Sequence, residues 1–180
     1  MQDGWDNKPT SARRGSSSDP RWPRLYHSQS GATMVEFALI ALPFFILLYG
    51  TVEIGFIYWA NQELENATGH GARLVRTGQV QGGAMNQAQL KTEICGQTAV
   101  LVGCSTKLRL DVRSAGSFSG ITLPSPLNGS GVLKDDTEFS FSPGASNDVV
   151  LVSAFYNWKP LMKPSDYILR ASSVTRNEPF

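Results

Sequence analysis

The pattern of apolar and polar positions divides the chain into three segments. Residues 1–30 have no apolar periodicity and are rich in serine, proline, glycine and charge. Such a segment buries too little apolar surface to offset the entropy lost on ordering, so we expect a disordered leader at residues 1–31. A nearly continuous apolar run follows at residues 31–60, and the rest of the chain changes from helical to strand-like periodicity.

The apolar run is long enough to cross a membrane. No residue from Phe37 to Val52 is charged, and after Glu53 the run resumes as "IGFIYWA". A helix from Phe37 to Ala60 measures about 36 Å at 1.5 Å per residue, and a hydrocarbon core is about 30 Å thick. We therefore expect a transmembrane helix at residues 32–60, with Glu53 at its outer interface.

The flanking charges predict the orientation of this helix. Arg21 and Arg24 precede it, whereas Glu63 and Glu65 follow it. Because basic residues stay on the cytoplasmic side, the N-terminus is expected in the cytoplasm and residues 61–180 outside. A cleaved secretory signal is the competing interpretation, but this run is longer than a signal's apolar region and no A-x-A-like site follows it directly.

Beyond the membrane, apolar and small residues continue at alternating spacings of three and four. They predict that the helix extends outside the membrane, within residues 61–83, until "GQVQGG" breaks it near Gly78. Small side chains allow another helix to approach closely, so we interpret these positions as a contact face for other helices. The alternative is an ordinary core helix. The helix-packing seam comprises Ile57, Ala60, Leu64, Ala67, Gly71 and Leu74.

Residues 84–180 predict a small α+β head. "AMNQAQLKTEIC" (84–95) has the character of a short helix, and after it the period changes to two. Alternation predicts strands at "LRLDVRS" (108–114), "EFSFS" (138–142), "DVVLVSAFYNW" (148–158) and "DYILRASSVTR" (166–176). Short strands joined by turns favour an antiparallel sheet packed against the long helix.

The two cysteines, Cys95 and Cys104, lie nine residues apart. Two thiols cannot complete a four-ligand metal site when His70 is the sole histidine beyond the membrane. In an oxidising compartment they would form a disulfide that stabilises the fold by about 3 kcal/mol on the loop-entropy model. Two buried free thiols are the alternative.

Composition and motifs argue against catalysis and nucleic-acid binding. The formal net charge is +1, with no basic excess sufficient to hold a phosphate backbone. The chain has no phosphate-binding loop, no nucleophile elbow and no H-E-x-x-H zinc motif. His70 has no evident nucleophile beside it. We expect no enzyme activity, no cofactor and no metal, and a membrane-tethered hydrolase is the least supported class.

The stretch "GATMVEF" places Gly31 at the boundary between leader and helix, followed by Ala32, Glu36 and Phe37. It resembles the processing site of type IV prepilins, which implies cleavage by a prepilin peptidase that frees an α-amine on Ala32. A glycine lets the chain approach an active site closely, and the basic leader, with five basic and three acidic residues, keeps this bond on the cytoplasmic side.

Glu36 is costly in hydrocarbon unless it is paired or neutralised. The amine of Ala32 lies about one helical turn away, so the amine of one subunit can meet the glutamate of another when helices assemble. The alternative is that Glu36 reaches the cytoplasmic interface by itself.

The resemblance extends to both ends of the chain. Residues 31–78, with "ALP" after the glutamate and a "GAR…TG" ending, and the C-terminal "RNEPF" resemble TadE-like proteins of the tight-adherence (Tad/Flp) pilus system. This implies a minor pseudopilin of TadE or TadF type in the bacterial inner membrane, with a periplasmic head. It also implies that the protein helps to assemble or extrude Flp pili for adherence and biofilm formation. The implied partners are the prepilin peptidase, other pilins and pseudopilins, the Tad secretion platform and inner-membrane lipid. An uncleaved, signal-anchored periplasmic binding or scaffold protein remains the alternative.

Overall fold

A computed structural model describes residues 29–161 and 166–180, and their side chains from Gly31 onward. The basic residues of the expected leader fall in residues 1–28, outside the described part. The chain forms two units, Met1–Ile46 and Leu47–Phe180. The order of elements is α1 (Gln29–Arg76), α2 (Gln87–Gly96), α3 (Cys104–Lys107), β1 (Leu108–Ala115), β2 (Val149–Trp158) and β3 (Tyr167–Arg176).

In the first unit, the described residues are all helical and belong to α1. Their side chains are almost all exposed, including those of Met34, Phe37 and Leu39. Exposed apolar side chains around the whole circumference of a helix suit a lipid environment better than water. Among the described residues, α1 is the one helix long and apolar enough to cross a membrane, and none of its most apolar window is buried.

A glycine just after α1 allows the helix to end. The N–H of Gly78 donates to the carbonyl of Val75, and the N–H of Gln79 to that of Leu74, the two bonds of a Schellman motif. Gly78 has φ +80°, a left-handed conformation that favours glycine. The helix therefore ends at Arg76, and residues 81–83 form a separate 3-10 turn.

The second unit contains a three-stranded antiparallel sheet in the order β1-β2-β3. This confirms the predicted α+β class. One face of β2, which includes Val150, Val152 and Ala154, joins the core formed with α1 and α2. Both faces of the central strand are covered, which explains why β2 is apolar almost throughout. The second helix is confirmed at Gln87–Gly96, where Asn86 and Gln89 form a capping box.

The strand predicted at residues 138–142 is wrong. Asp136–Glu138 forms a 3-10 turn, and Phe141 makes a single parallel bridge to Val112. The alternation reflects burial beside the sheet, because Phe139 stacks on Phe155 with ring centroids 5.6 Å apart. Confined between that turn and Pro143, the segment covers the sheet without extending it.

Candidate functional site

The proposed processing residues lie at the beginning of α1. Gly31, Ala32, Glu36 and Phe37 are all exposed on one continuous helix. The bond between Gly31 and Ala32 lies at the start of the part of α1 that the structure describes, two residues after Gln29. Glu36 follows Ala32 by four residues and so lies on the same face, one turn further along. Cleavage itself is not tested by this geometry and stays a prediction.

A shallow apolar groove accompanies this site in the first unit. Its lining residues repeat at spacings of three and four, and they are Gly31, Met34, Val35, Ala38, Leu39 and Leu42. It is a surface of small and flexible apolar side chains that adjoins the expected cleavage point.

The helix-packing seam lies in the second unit and contacts the chain's own head. Ala60, Leu64 and Ala67 are buried in the same core as Leu90 and Ile94 of α2. Gly71 belongs to this contact, because a Cβ at that position would lie 2.8 Å from the side chain of Ile94. The small residues thus allow α2 to approach closely, which corrects our interpretation of the seam as a contact face for other pilins. Leu74 also lies in this core and Ile57 packs against it, as the alternative of an ordinary core helix predicts.

The disulfide is present. Cys95, in the last turn of α2, is bonded to Cys104 at the start of α3, and their Cα atoms are 5.7 Å apart. This link fixes the end of α2 to the segment that leads into β1. Tyr156 fixes the same region from the sheet, because its hydroxyl donates a 2.7 Å hydrogen bond to the carbonyl of Val102. Burial raises the pKa of the Tyr156 phenol above its usual value.

Glu53, expected at the outer interface, has a partner in the head. Its carboxylate accepts a hydrogen bond from the backbone N–H of Leu161, which follows β2. Nothing in the local sequence predicts this contact, because the two residues are 108 positions apart.

Charged residues that the sequence analysis did not single out connect three parts of the head. Lys91 of α2 contacts Asp136 at 2.8 Å, and Arg109 of β1 lies 3.7 Å from Asp135 and 3.8 Å from Asp136. These contacts hold the 3-10 turn at residues 136–138 against α2 and β1. Among the described residues, no group of three or more histidine, cysteine, aspartate and glutamate side chains is placed to hold a metal ion.

These features define a class of protein. A single apolar helix near the N-terminus suits a single-pass membrane anchor, and it leads into a disulfide-bonded α+β head. Residues 31–73 match the family model described as TadE-like protein, which confirms the TadE-like resemblance. The match begins at Gly31 and ends at Arg73, within α1. No curated protein and no solved structure matches the chain.

Proposed function

We propose that this protein is a minor pseudopilin that helps to assemble or extrude Flp (Tad) pili in surface adherence and biofilm formation. The observation that carries the proposal is that the TadE-like match, residues 31–73, lies on one continuous helix and starts at the glycine before the expected cleaved bond. The disulfide between Cys95 and Cys104 supports a head in an oxidising compartment such as the periplasm. With the basic residues before the helix, it supports a cytoplasmic N-terminus in the bacterial inner membrane.

Processing requires a peptidase to reach the bond between Gly31 and Ala32. Glycine has a low helix propensity, so the turn that contains Gly31 costs less free energy to open than one made of strong helix formers. Hydrolysis of the bond consumes one water and leaves a carboxylate on Gly31 and an α-amine on Ala32. The amine is protonated at neutral pH and becomes the first group of the mature helix.

Glu36 then has a role in assembly. The charged amine of Ala32 and the carboxylate of Glu36 are both costly in hydrocarbon, and an ion pair between neighbouring subunits lowers that cost. Pairing also fixes the axial register of one helix against the next. In this proposal the protein has no catalytic role of its own, and its partners are the prepilin peptidase, other pilins and pseudopilins, and the Tad secretion platform.

Intact mass measurement tests the processing step. The protein is produced in cells with an active prepilin peptidase and recovered from the membrane fraction. We expect an N-terminus at Ala32, and a Gly31→Leu variant is expected to keep Met1. Gly50→Leu is the matched control, because Gly50 has nothing within 4 Å of an added Cβ and lies far along the helix from the cleaved bond. Recovery of the full-length chain alone would instead support an uncleaved anchor with a binding or scaffold role.

A Glu36→Gln variant tests the pairing step separately. We expect normal cleavage together with loss of surface pili, scored by electron microscopy and by pilin sheared from cells. Glu93→Gln is the matched control, since Glu93 is an exposed carboxylate on α2 of the head. Normal piliation of the Glu36→Gln strain would rule out the ion pair as a requirement for assembly.

A further inference from the structure

The residues that follow β2, up to Leu161, pack against α1 near Glu53. We call residues 158–161 together with residues 166–167 the hairpin tip. An apolar groove of about 260 Å³ lies between the tip and the helix. Its lining residues are Tyr49, Val52, Glu53 and Phe56 from α1, and Trp158, Lys159 and Leu161 from the tip.

The helix residues in this groove place the tip at the level of the apolar run. Their spacings of three and four put them on one face of α1. Tyr49 lies about 6 Å further into the run than Glu53, since each residue advances a helix by 1.5 Å. Tyr49 and Val52 both belong to the stretch Phe37–Val52, which has no charge. If α1 crosses a bilayer, the hairpin tip therefore lies at the bilayer surface and not above it.

The exposed side chains at this level are those of a membrane interface. Leu161 is 86% exposed, and Tyr167, which pairs with Trp158 in the sheet, is 48% exposed. Tyr58 and Trp59 of α1 are 74% and 52% exposed. Burial of a leucine side chain in an apolar medium is favourable by about 2 kcal/mol, so exposure of Leu161 to water is unfavourable by the same amount. Tyrosine and tryptophan concentrate where acyl chains meet headgroups.

The hydrogen bond from Leu161 gives the Glu53 carboxylate a partner at the level of the bilayer surface. A turn that enters the interface exposes backbone N–H groups that water no longer satisfies fully. The N–H of Leu161 donates to the carboxylate of Glu53, which removes one such group. The same bond ties the tip to the helix and fixes its depth.

We propose that the hairpin tip is a second membrane contact, which inserts into the outer boundary of the bilayer that α1 crosses. Trp158, Leu161 and Tyr167 enter the region between headgroups and acyl chains, and the ammonium of Lys159 lies among anionic lipid phosphates. The partner is a lipid surface. This inference rests on α1 spanning a membrane but not on cleavage after Gly31 or on a role in pili.

Depth-dependent fluorescence quenching tests the contact with the full chain in vesicles. A single-tryptophan variant keeps Trp158 and carries Trp5→Phe, Trp22→Phe and Trp59→Phe. It is reconstituted in phosphatidylcholine and phosphatidylglycerol vesicles whose lipids carry bromine at different depths of the acyl chain. We expect lipids brominated near the headgroup to quench Trp158 at least about threefold more strongly than they quench a tryptophan at the far end of the sheet.

Phe118 offers the matched control position for this measurement. It is 60% exposed, and the guanidinium of Arg176 lies 5.7 Å from its ring centroid. Arg176 pairs with Val149, at the opposite end of β2 from Trp158. That distance is about 30 Å along the strand, so a Phe118→Trp variant without the native tryptophans reports on a site away from the lipid.

Two further results distinguish lipid from protein as the partner. Leu161→Glu is expected to reduce the quenching of Trp158 by at least about half, because a carboxylate does not enter the interface readily, whereas Val132→Glu on an exposed loop leaves it unchanged. Equal quenching at Trp158 and at the Phe118→Trp position would overturn the proposal. It would also be overturned if Trp158 were protected from aqueous acrylamide but not quenched by brominated lipid, since a second copy of the chain would then cover the tip.

Discussion

The ring of Phe180 packs against Gly78, the glycine that ends α1. A Cβ at position 78 would lie 2.8 Å from Cγ of Phe180, so the ring occupies the space that a side chain would need. The C-terminal segment is held nearby by two further contacts. The N–H of Glu178 donates to the carbonyl of Arg76, and the side chain of Asn177 donates to the carbonyls of Pro143 and Ala145. The C-terminal segment therefore packs against the C-terminal end of α1.

A Gly78→Ala variant is expected to lower the free energy of unfolding by about 2 to 3 kcal/mol. The left-handed φ accounts for about 1 kcal/mol of this loss, and the displaced Phe180 ring accounts for the rest. Gly82→Ala is the matched control, because Gly82 also has a positive φ, +67°, but nothing within 4 Å of its added Cβ. Urea titration of the full chain in detergent, followed by far-ultraviolet circular dichroism, compares the two. Equal losses would mean that the contact with Phe180 contributes nothing.

Asp111 is expected to be the carboxylate on which the head depends most. It is fully buried, and it accepts hydrogen bonds from Arg113 at 2.7 Å and from the N–H of Ser140 at 3.0 Å. Asp111→Ala leaves both donors without their acceptor, which is expected to cost about 3 kcal/mol in the same titration.

Asp135→Ala is the control for this variant. Asp135 is 83% exposed, lies 3.7 Å from Arg109 and caps the 3-10 turn at Asp136–Glu138, so its removal is expected to cost about 1 kcal/mol. If Asp111→Ala were no more harmful than Asp135→Ala, the hydrogen bond from Ser140 to Asp111 would not be what holds the segment at residues 140–142 to β1.

Tyr156 is expected to make the head less stable in alkali. Burial raises the pKa of its phenol in the folded state above the ordinary value of 10.0. The unfolded chain therefore loses this proton at a lower pH than the folded chain does. The contribution of Tyr156 to stability is complete below about pH 10 and is lost as the pH rises through the folded pKa.

Tyr156→Phe isolates this effect from the other titrating groups. The variant lacks the hydrogen bond to the carbonyl of Val102 and is expected to be less stable by about 1 kcal/mol at neutral pH. Above pH 10 its free energy of unfolding is expected to fall less steeply than that of the parent chain. If the free energies of unfolding of the two proteins fell equally with pH, the pKa of the Tyr156 phenol would be the same in the folded and the unfolded chain.

Local periodicity was enough to predict several elements of the head. The alternation of Leu108, Leu110 and Val112 predicted β1, and the apolar run at residues 148–158 predicted the central strand. The same reasoning failed at residues 138–142, where Phe139 and Phe141 alternate but form no strand. Alternation reports which side chains are buried and does not distinguish a strand from a loop that covers a sheet.

The sequence by itself determined the long apolar helix, the α+β class and the cysteine pair, because each depends on composition or on residues close together in the chain. It also carried the TadE-like stretch that begins at Gly31. Only the tertiary structure decided that the seam of Ala60 and Leu64 packs on the chain's own head, and that Glu53 meets Leu161. The physical reason is that the sequence shows which small or charged side chains require a partner. The identity of that partner depends on how distant segments of the chain pack together.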